Sequence, residues 1–292
     1  MKENQKLEEN LLLLMEARLP RSQRHVLEHH AKKSSSSSSS SREEEEKKKE
    51  EEEEATARAR AKLYAQLEGS LGDDLEYFCD AFHRAMKVSK KGPWEPKKKT
   101  RIEPIVPDVV AAEASEEERK AWRDEGYALI RAGKVGAIVM AGGQGTRLGS
   151  ALPKGTFDIG LPSKKSLFQL QAERIRKVIE LAADAAKAVT GANKGTESAL
   201  MPSLPWYIKT SPQTHEQTVD FFRENAYFNL PEKDIVFFQQ QEAPVFDFEG
   251  KIILAPDGSI QTAPDGNGSI YRALLKSNAL ADMKKRGVRH LH

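Results

Sequence analysis

A glycine-rich loop behind a short apolar run gives the sequence its strongest chemical signal. The run, residues 135–140, has the length and composition of a buried strand. Gly142, Gly143 and Gly145 follow it, and none of them carries the Cβ that would keep a ligand away from the backbone. Successive N–H groups in such a loop can bind a phosphate. The pattern predicts an anion site at the end of this strand.

Two cations follow the loop. Arg147 and Lys154 place positive charges just beyond the bare amides, which a simple turn does not require. Strand, loop and cations together predict a nucleoside triphosphate site. A structural turn stays the alternative interpretation, since glycine clusters after strands are common in turns.

Two better-known glycine loops do not fit this sequence. The dinucleotide fingerprint requires Gly-x-Gly-x-x-Gly, but after Gly143 and Gly145 the third glycine, Gly149, comes one residue late. The P-loop requires Gly-Lys-Ser/Thr, but Lys154 follows Pro153. The sequence is therefore neither a dinucleotide-binding fingerprint nor a P-loop.

The composition limits the kinds of partner and the compartment that the sequence predicts. The 292 residues include 46 Lys plus Arg and 44 Asp plus Glu, so the charge balance gives no argument for nucleic acid or membrane. The single cysteine, Cys79, excludes an internal disulfide and fits a reducing compartment. The apolar run at 11–15 is too short to span a bilayer or to form a signal segment, and acidic residues precede it. These features predict a cytoplasmic protein, and they leave the oligomeric state open.

The first 132 residues are predicted to form a helical region with a low-complexity insert at 33–54. The insert joins a serine run to a Glu/Lys run, and neither can bury enough apolar surface to offset the entropy of ordering. We expect a flexible linker and then a solvated helix. Ser115 and Glu118 form a capping box that opens a further helix, which Gly133 ends.

Strands and helices alternate in the rest of the chain. Strands are predicted at 135–140, 205–210, 235–239 and 288–291, with a hairpin at 252–263, and helices at 7–30, 55–87, 166–186, 211–225 and 269–285. This alternation is typical of an α/β fold with a mostly parallel sheet. Ligands of such folds bind at the carboxyl ends of the strands.

Several blocks resemble the eukaryotic UDP-N-acetylhexosamine pyrophosphorylases. The blocks are 139–149, 153–155, 160–163, 166–169, 237–240 and 263–268. UDP-glucose pyrophosphorylases have Asn-Gly-Gly-Leu-Gly-Thr where this chain has Ala-Gly-Gly-Gln-Gly-Thr. The resemblance runs from about Lys134 to His292. It implies a Rossmann-like sheet of the nucleotide-diphospho-sugar transferase type, with 133–292 as the N-terminal part of its catalytic domain.

The resemblance also implies a reaction and residue roles. UTP and N-acetylglucosamine 1-phosphate would give UDP-N-acetylglucosamine and pyrophosphate. Arg147 would bind the β- and γ-phosphates, and Lys154 the α-phosphate. The remaining implied contacts are Met140, Ala141, Gly142, Gly143 and Gly266 to the nucleotide, Gln240 to the uracil edge, and Asn267 to the amino sugar. Mg²⁺ is implied as the cofactor, and an aspartate that binds it is expected beyond His292.

Alternatives remain at this stage. Members of that family are longer, so we expect this chain to be a truncated form and inactive alone. A broader UDP-sugar or UDP-N-acetylgalactosamine pyrophosphorylase and a non-catalytic nucleotide-binding fragment are the competing hypotheses. His25, His29 and His30 have a spacing that could suit a metal, but no carboxylate or cysteine pattern accompanies them, and a solvent-facing cluster is expected.

Overall fold

The computed structural model describes residues 13–31, 42–90, 113–190 and 201–292. The predicted serine linker lies outside the described residues. Residues 13–18 are helical. The helices are α1 (His25–Ala31), α2 (Arg42–Glu68), α3 (Ser70–Ser89), α4 (Glu116–Arg131), α5 (Leu167–Thr190), α6 (His215–Glu224), α7 (Ser269–Lys276) and α8 (Ala279–Arg286). The strands are β1 (Val135–Met140), β2 (Trp206–Thr210), β3 (Ile235–Gln239), β4 (Glu242–Pro244), β5 (Thr262–Pro264) and β6 (His290–Leu291).

The chain divides into two compact units. The first, the helix–hairpin unit, comprises Met1–Thr100 and Glu242–Asp265. The second, the sheet unit, comprises Arg101–Gln241 and Gly266–His292. This division differs from the boundary expected at residue 132, because α4 packs on the sheet while the segment around the predicted hairpin packs on the N-terminal helices.

The sheet unit contains a four-stranded parallel sheet of order β3-β2-β1-β6. Every residue of β2 is buried, since this strand lies between β1 and β3. The strands β1, β2 and β3 have the predicted positions to within one residue, which confirms the α/β fold. Because the strands are parallel, their carboxyl ends meet at one edge of the sheet.

Helices cover both faces of this sheet. On one face Trp206 packs with Phe168 of α5 and Phe222 of α6, whose two rings lie 4.9 Å apart in an edge-to-face arrangement. On the other face Tyr207 packs with Met283 of α8. Successive residues of β2 therefore contribute to opposite cores, as the two-residue period of a strand requires.

Two glutamine side chains fix the hairpin of the helix–hairpin unit. The Gln23 amide donates to the Gly250 carbonyl and accepts from the Ile252 N–H, each at 2.9 Å. The Gln66 amide donates to the Ile260 carbonyl at 3.0 Å and accepts from its N–H at 2.8 Å. Each side-chain amide thus replaces a missing strand partner for the hairpin backbone. The predicted hairpin is confirmed by the pairing of Leu254 with Ile260.

Three predicted helices are interrupted. The helix expected at 55–87 breaks at Gly69, whose backbone is extended between α2 and α3. The helix expected at 7–30 breaks before Pro20, which lacks an N–H and clashes with the preceding turn. The helix expected at 269–285 breaks at Ser277, whose backbone is extended and whose hydroxyl accepts from the Ala279 N–H at 3.2 Å. Serine side chains compete with helical hydrogen bonds in this way.

The start of α6 also differs from the prediction. The helix is predicted at 211–225, but it begins at His215. The Ser211 N–H instead donates to the Thr214 hydroxyl at 3.2 Å, which closes a turn before the helix. The capping box of Ser115 with Glu118 is confirmed at the start of α4, and the Glu/Lys run is helical within α2, as predicted.

Among the described residues, no helix combines the length and apolar character needed to cross a bilayer. Cys79 is buried, and burial is the main cause that raises the pKa of its thiol.

Candidate functional site

The glycine loop leaves the sheet at its carboxyl edge and folds back on itself. Ala141 is buried, and its N–H donates to the Lys209 carbonyl at 2.7 Å. The Gly145 N–H donates to the Leu152 carbonyl at 2.9 Å. The Lys154 N–H donates to the Gly143 carbonyl at 3.0 Å. These bonds hold the second cation-bearing segment directly against the loop.

Three consecutive N–H groups of the loop are available to a ligand. Within the described ranges, the amides of Gly142, Gly143 and Gln144 donate to no acceptor, whereas the amides on either side of them do. Backbone N–H groups are strong donors that require partners. A run of them in a glycine loop forms a concavity suited to an anion.

Both predicted cations are exposed. Arg147 lies in a short 3-10 turn, Thr146–Leu148, near the tip of the loop. Lys154 begins a second short turn, Lys154–Thr156, at the base of the loop. In the part of the chain that the structure describes, neither side chain is engaged in an ion pair. Their charges are thus not neutralised by a described carboxylate.

Gln240 lies beside the glycine loop. It follows β3, and its N–H donates to the Thr210 carbonyl at 2.8 Å, which continues the sheet by one residue. A Cβ added to Gly142 would lie 3.2 Å from Cδ and Oε1 of Gln240 and 3.3 Å from its Nε2. Only 6% of Gln240 is exposed, and its side-chain amide has no hydrogen-bond partner among the described residues. The nitrogen and oxygen of this amide are not among the buried unpaired atoms of the described residues, so they reach solvent beside the loop and are open to a ligand.

The predicted sugar-binding turn precedes α7. Gly266 has φ +73°, a left-handed conformation that glycine adopts without strain. The carbonyl of Gly266 accepts from the Ser269 hydroxyl at 2.6 Å, and that of Asn267 accepts from the Ile270 N–H at 3.3 Å. Asn267 is exposed. The turn is therefore fixed by its own helix start while Asn267 faces solvent.

Sequence reasoning missed Lys209. This residue lies on β2 in register with Met140 on one side and Phe238 on the other, and only 2% of it is exposed. Its ammonium donates to the Ser269 hydroxyl at 2.9 Å. The signal was present in the sequence, because Lys209 is the one charged residue in an otherwise apolar and threonine-ended strand.

His215 has a structural environment. Its Nδ1 lies 2.8 Å from the Thr210 hydroxyl at the end of β2. Burial lowers the pKa of His215, while Glu216 opposes that shift more weakly. The imidazole is consequently neutral near pH 7 and connects the start of α6 to the sheet.

The described residues contain no group of three His, Cys, Asp or Glu side chains placed to hold a metal ion. His25, which was considered for such a site, contacts the Ile252 carbonyl through Nε2 at 2.9 Å. A Mg²⁺ ion held by the described ranges would therefore depend on fewer than three such side chains together with the phosphates of a ligand.

Known proteins resemble this chain in both sequence and fold. A family model described as UTP–glucose-1-phosphate uridylyltransferase matches residues 75–292. UDP-N-acetylhexosamine pyrophosphorylase-like protein 1 of Mus musculus is 41% identical over 236 residues, which are 80% of this chain and 44% of the mouse protein. The probable UDP-N-acetylglucosamine pyrophosphorylase of Schizosaccharomyces pombe is 46% identical over 170 residues, 58% of this chain and 34% of that protein.

A solved structure extends the comparison. The crystal structure of the uridine diphosphate N-acetylglucosamine pyrophosphorylase from Trypanosoma brucei, in complex with an inhibitor, is 30% identical and superposes with a TM-score of 0.63. It covers 80% of this chain and 46% of the trypanosomal chain, so the chain spans less than half the length of these relatives. The resemblance to the eukaryotic UDP-N-acetylhexosamine pyrophosphorylases is confirmed, and the chain belongs to the UTP–glucose-1-phosphate uridylyltransferase family.

Proposed function

We propose that this chain supplies the UTP-binding part of a uridylyltransferase that forms UDP-N-acetylglucosamine and pyrophosphate from UTP and N-acetylglucosamine 1-phosphate. One observation carries the proposal. The available N–H groups of the glycine loop lie beside the side-chain amide of Gln240 at the carboxyl edge of the sheet. A nucleotide can be bound by a loop that holds its phosphates and a neighbouring amide that forms hydrogen bonds with the edge of its base.

The reaction needs positioning and charge neutralisation more than covalent chemistry. An oxygen of the sugar phosphate attacks the α-phosphorus of UTP, and pyrophosphate leaves in line with the attack. Gln240 would hold the uracil through one donated and one accepted hydrogen bond. The N–H groups of Gly142 and Gly143 would bind oxygens of the nucleotide and thereby fix the α-phosphorus relative to the base.

The two cations would act on the phosphates. Arg147 would bind the β- and γ-phosphates, where its planar fork of donors matches the departing pyrophosphate. Lys154 would neutralise charge that gathers on the α-phosphate in the transition state, a contribution of about 3 kcal/mol by analogy with oxyanion donors. Both side chains are exposed and without ion pairs in the described ranges, so binding would not first require a salt bridge to break.

The remaining assignments follow from the same proposal. Asn267 would bond the amino sugar, and Gly266 would lie against the nucleotide. Mg²⁺ would accompany the triphosphate as its counterion. The names of the similar proteins above refer to UDP-N-acetylhexosamine and UDP-N-acetylglucosamine, which favours an amino-sugar phosphate over glucose 1-phosphate. A cytoplasmic location is proposed on the evidence of the single, unpaired cysteine.

Isothermal titration of the 292-residue chain with UTP tests the proposal. Arg147→Ala and Lys154→Ala should each bind UTP about 10- to 100-fold more weakly, since a charged hydrogen bond is worth about 1.5–3 kcal/mol. Lys120→Ala is the matched control, because this exposed helical lysine lies outside the loop and should leave the affinity unchanged. Equal affinities in all four proteins, or no UTP binding by the wild type, would reject the proposed function.

Pyrophosphate release by the 292-residue chain with UTP and N-acetylglucosamine 1-phosphate would show catalysis and contradict the expectation that the chain is inactive alone. Binding of UTP without release fits a nucleotide-binding part that needs the rest of the enzyme. Substituting N-acetylgalactosamine 1-phosphate in the same assay addresses the broader UDP-sugar hypothesis.

A further inference from the structure

Lys209 is a charged residue in the most buried strand of the sheet. Lysine is almost never fully buried unless it is paired, because removing an ammonium from water is strongly unfavourable. Its neighbours in register, Met140 and Phe238, lie on the same face of the sheet, and Phe238 belongs to an apolar cluster. An apolar residue at this position would pack there without that penalty. The presence of lysine therefore calls for a specific reason.

The ammonium of Lys209 leads to the turn that precedes α7. It donates to the Ser269 hydroxyl at 2.9 Å, and that hydroxyl donates to the Gly266 carbonyl at 2.6 Å. Ser269 is itself 2% exposed. The two bonds point in one direction, from ammonium to hydroxyl to carbonyl, and chains of this kind polarise and strengthen each other. They fix the carbonyl of a residue whose φ is +73°.

The backbone of Lys209 contacts the other half of the site. Its carbonyl accepts from the Ala141 N–H at 2.7 Å, at the point where the glycine loop leaves β1. One residue thus holds the start of the glycine loop through its backbone and the Gly266 turn through its side chain. These two segments reach it from positions more than a hundred residues apart in the sequence.

Electrostatics at α7 argues against a purely stabilising role. Ser269 is the first residue of α7, and the N-terminal end of a helix carries partial positive charge. A cation at that end is unfavourable, whereas the hydrogen bond to Ser269 fixes geometry. The hydrogen bond from Lys209 to Ser269 therefore contributes order to the turn.

We propose that Lys209 is a positioning residue, which acts through Ser269 to hold the turn of Gly266 and Asn267 in the geometry that receives the sugar of a UDP-sugar. This inference rests on the proposed function. It adds that the contact of the turn with the sugar depends on a buried ammonium, whereas the contacts of the glycine loop and Gln240 with UTP do not.

The test compares two ligands on four variants. UTP and UDP-N-acetylglucosamine are titrated calorimetrically into the wild type, Lys209→Met, Ser269→Ala, the double variant and Ser269→Thr, and each melting temperature is recorded. Tyr207→Phe is the matched control: it removes the hydrogen bond of a neighbouring buried residue on the same face to Asp282, at 2.9 Å, without touching the turn.

We expect Lys209→Met and Ser269→Ala each to weaken UDP-N-acetylglucosamine binding about tenfold, equivalent to about 1.4 kcal/mol, while UTP affinity changes less than about threefold. In the double variant the two losses should be less than additive, because both substitutions break the same chain of hydrogen bonds. Ser269→Thr keeps the hydroxyl and should bind UDP-N-acetylglucosamine as the wild type does. Tyr207→Phe should lower the melting temperature and leave the ratio of the two affinities unchanged.

Other outcomes overturn the inference in distinguishable ways. If the wild type binds both ligands and the variants bind UDP-N-acetylglucosamine within twofold of it, Lys209 does not position the turn. If the variants lose both ligands equally as the melting temperature falls, the role is structural. If the wild type itself binds neither ligand, the proposed function fails, and this inference fails with it.

Discussion

Gly142→Ala tests how closely the glycine loop approaches the side-chain amide of Gln240, which we propose binds the uracil edge. The added Cβ would lie 3.2 Å from Cδ and Oε1 of Gln240 and 3.3 Å from Nε2, so all three atoms of the amide group meet it. Ordinary van der Waals contact begins at about 3.4 Å, and the amide must therefore shift by a few tenths of an ångström. Gln240 is nearly buried, which restricts where the amide can go.

The expected magnitude follows from the hydrogen bonds at risk. A uracil edge bound by one amide makes two hydrogen bonds, each worth a net of about 1 kcal/mol. Loss of one bond weakens UTP binding about fivefold, and loss of both weakens it about 30-fold. The conformation of Gly142 has no positive φ, so alanine adds no backbone strain there. The affinity should change while the free energy of unfolding changes little.

Titration calorimetry of a double-mutant cycle provides the measurement. If Gly142→Ala acts through Gln240, it should have no further effect on UTP affinity once Gln240→Ala has removed the amide. Gly126→Ala is the control, because a Cβ at this position on α4 meets nothing within 4 Å and lies outside the loop. The reasoning is refuted if Gly142→Ala binds UTP as the wild type does, or if its effect persists unchanged in the Gln240→Ala background.

Three further predictions concern the scaffold. Gly155→Ala would drive a Cβ into the ring of Phe168, which is 1% exposed, and should lower the free energy of unfolding by about 1–3 kcal/mol in urea denaturation; an unchanged midpoint would contradict the packing. Ser115→Ala removes the hydroxyl that accepts from the Glu118 N–H at 3.2 Å, and should destabilise by about 1 kcal/mol by the same method, whereas Ser115→Thr should not. Burial lowers the pKa of His215 below its usual 6.5, so the unfolded chain takes up the proton first as the pH falls. Its stabilising contribution is complete above pH 6.5 and is lost below it, and the wild type should therefore lose more stability than His215→Gln between pH 7 and pH 5; equal losses would rule this out.

Local signals predicted the parallel sheet well. The apolar run at Val135–Met140 coincides with β1, and Ser115 with Glu118 sets the start of α4, because a buried strand and a capping box are each specified by a few adjacent residues. The position of Lys154 beside the glycine loop agrees with the sequence, in which the two cations come just beyond the glycines.

Contacts between residues distant in sequence could not be predicted from local signals. The pairing of Lys209 with Ser269 joins residues 60 positions apart, and nothing local indicates that the two meet. The hydrogen bond between the Ile252 N–H and Gln23 joins residues 229 positions apart. Contacts of this kind explain why the hairpin segment belongs to the helix–hairpin unit rather than to the sheet unit. The break at Ser277 depends on a serine hydroxyl that competes with helical hydrogen bonding, and composition alone favoured a continuous helix.

A crystal structure of the chain with UTP tests the central claim most directly. We expect the uracil edge within about 3.2 Å of the Gln240 side-chain amide and phosphate oxygens at the N–H groups of Gly142 and Gly143, with the Lys154 ammonium on the α-phosphate. UTP bound elsewhere, or bound here with the Arg147 and Lys154 side chains directed away from its phosphates, would contradict the account.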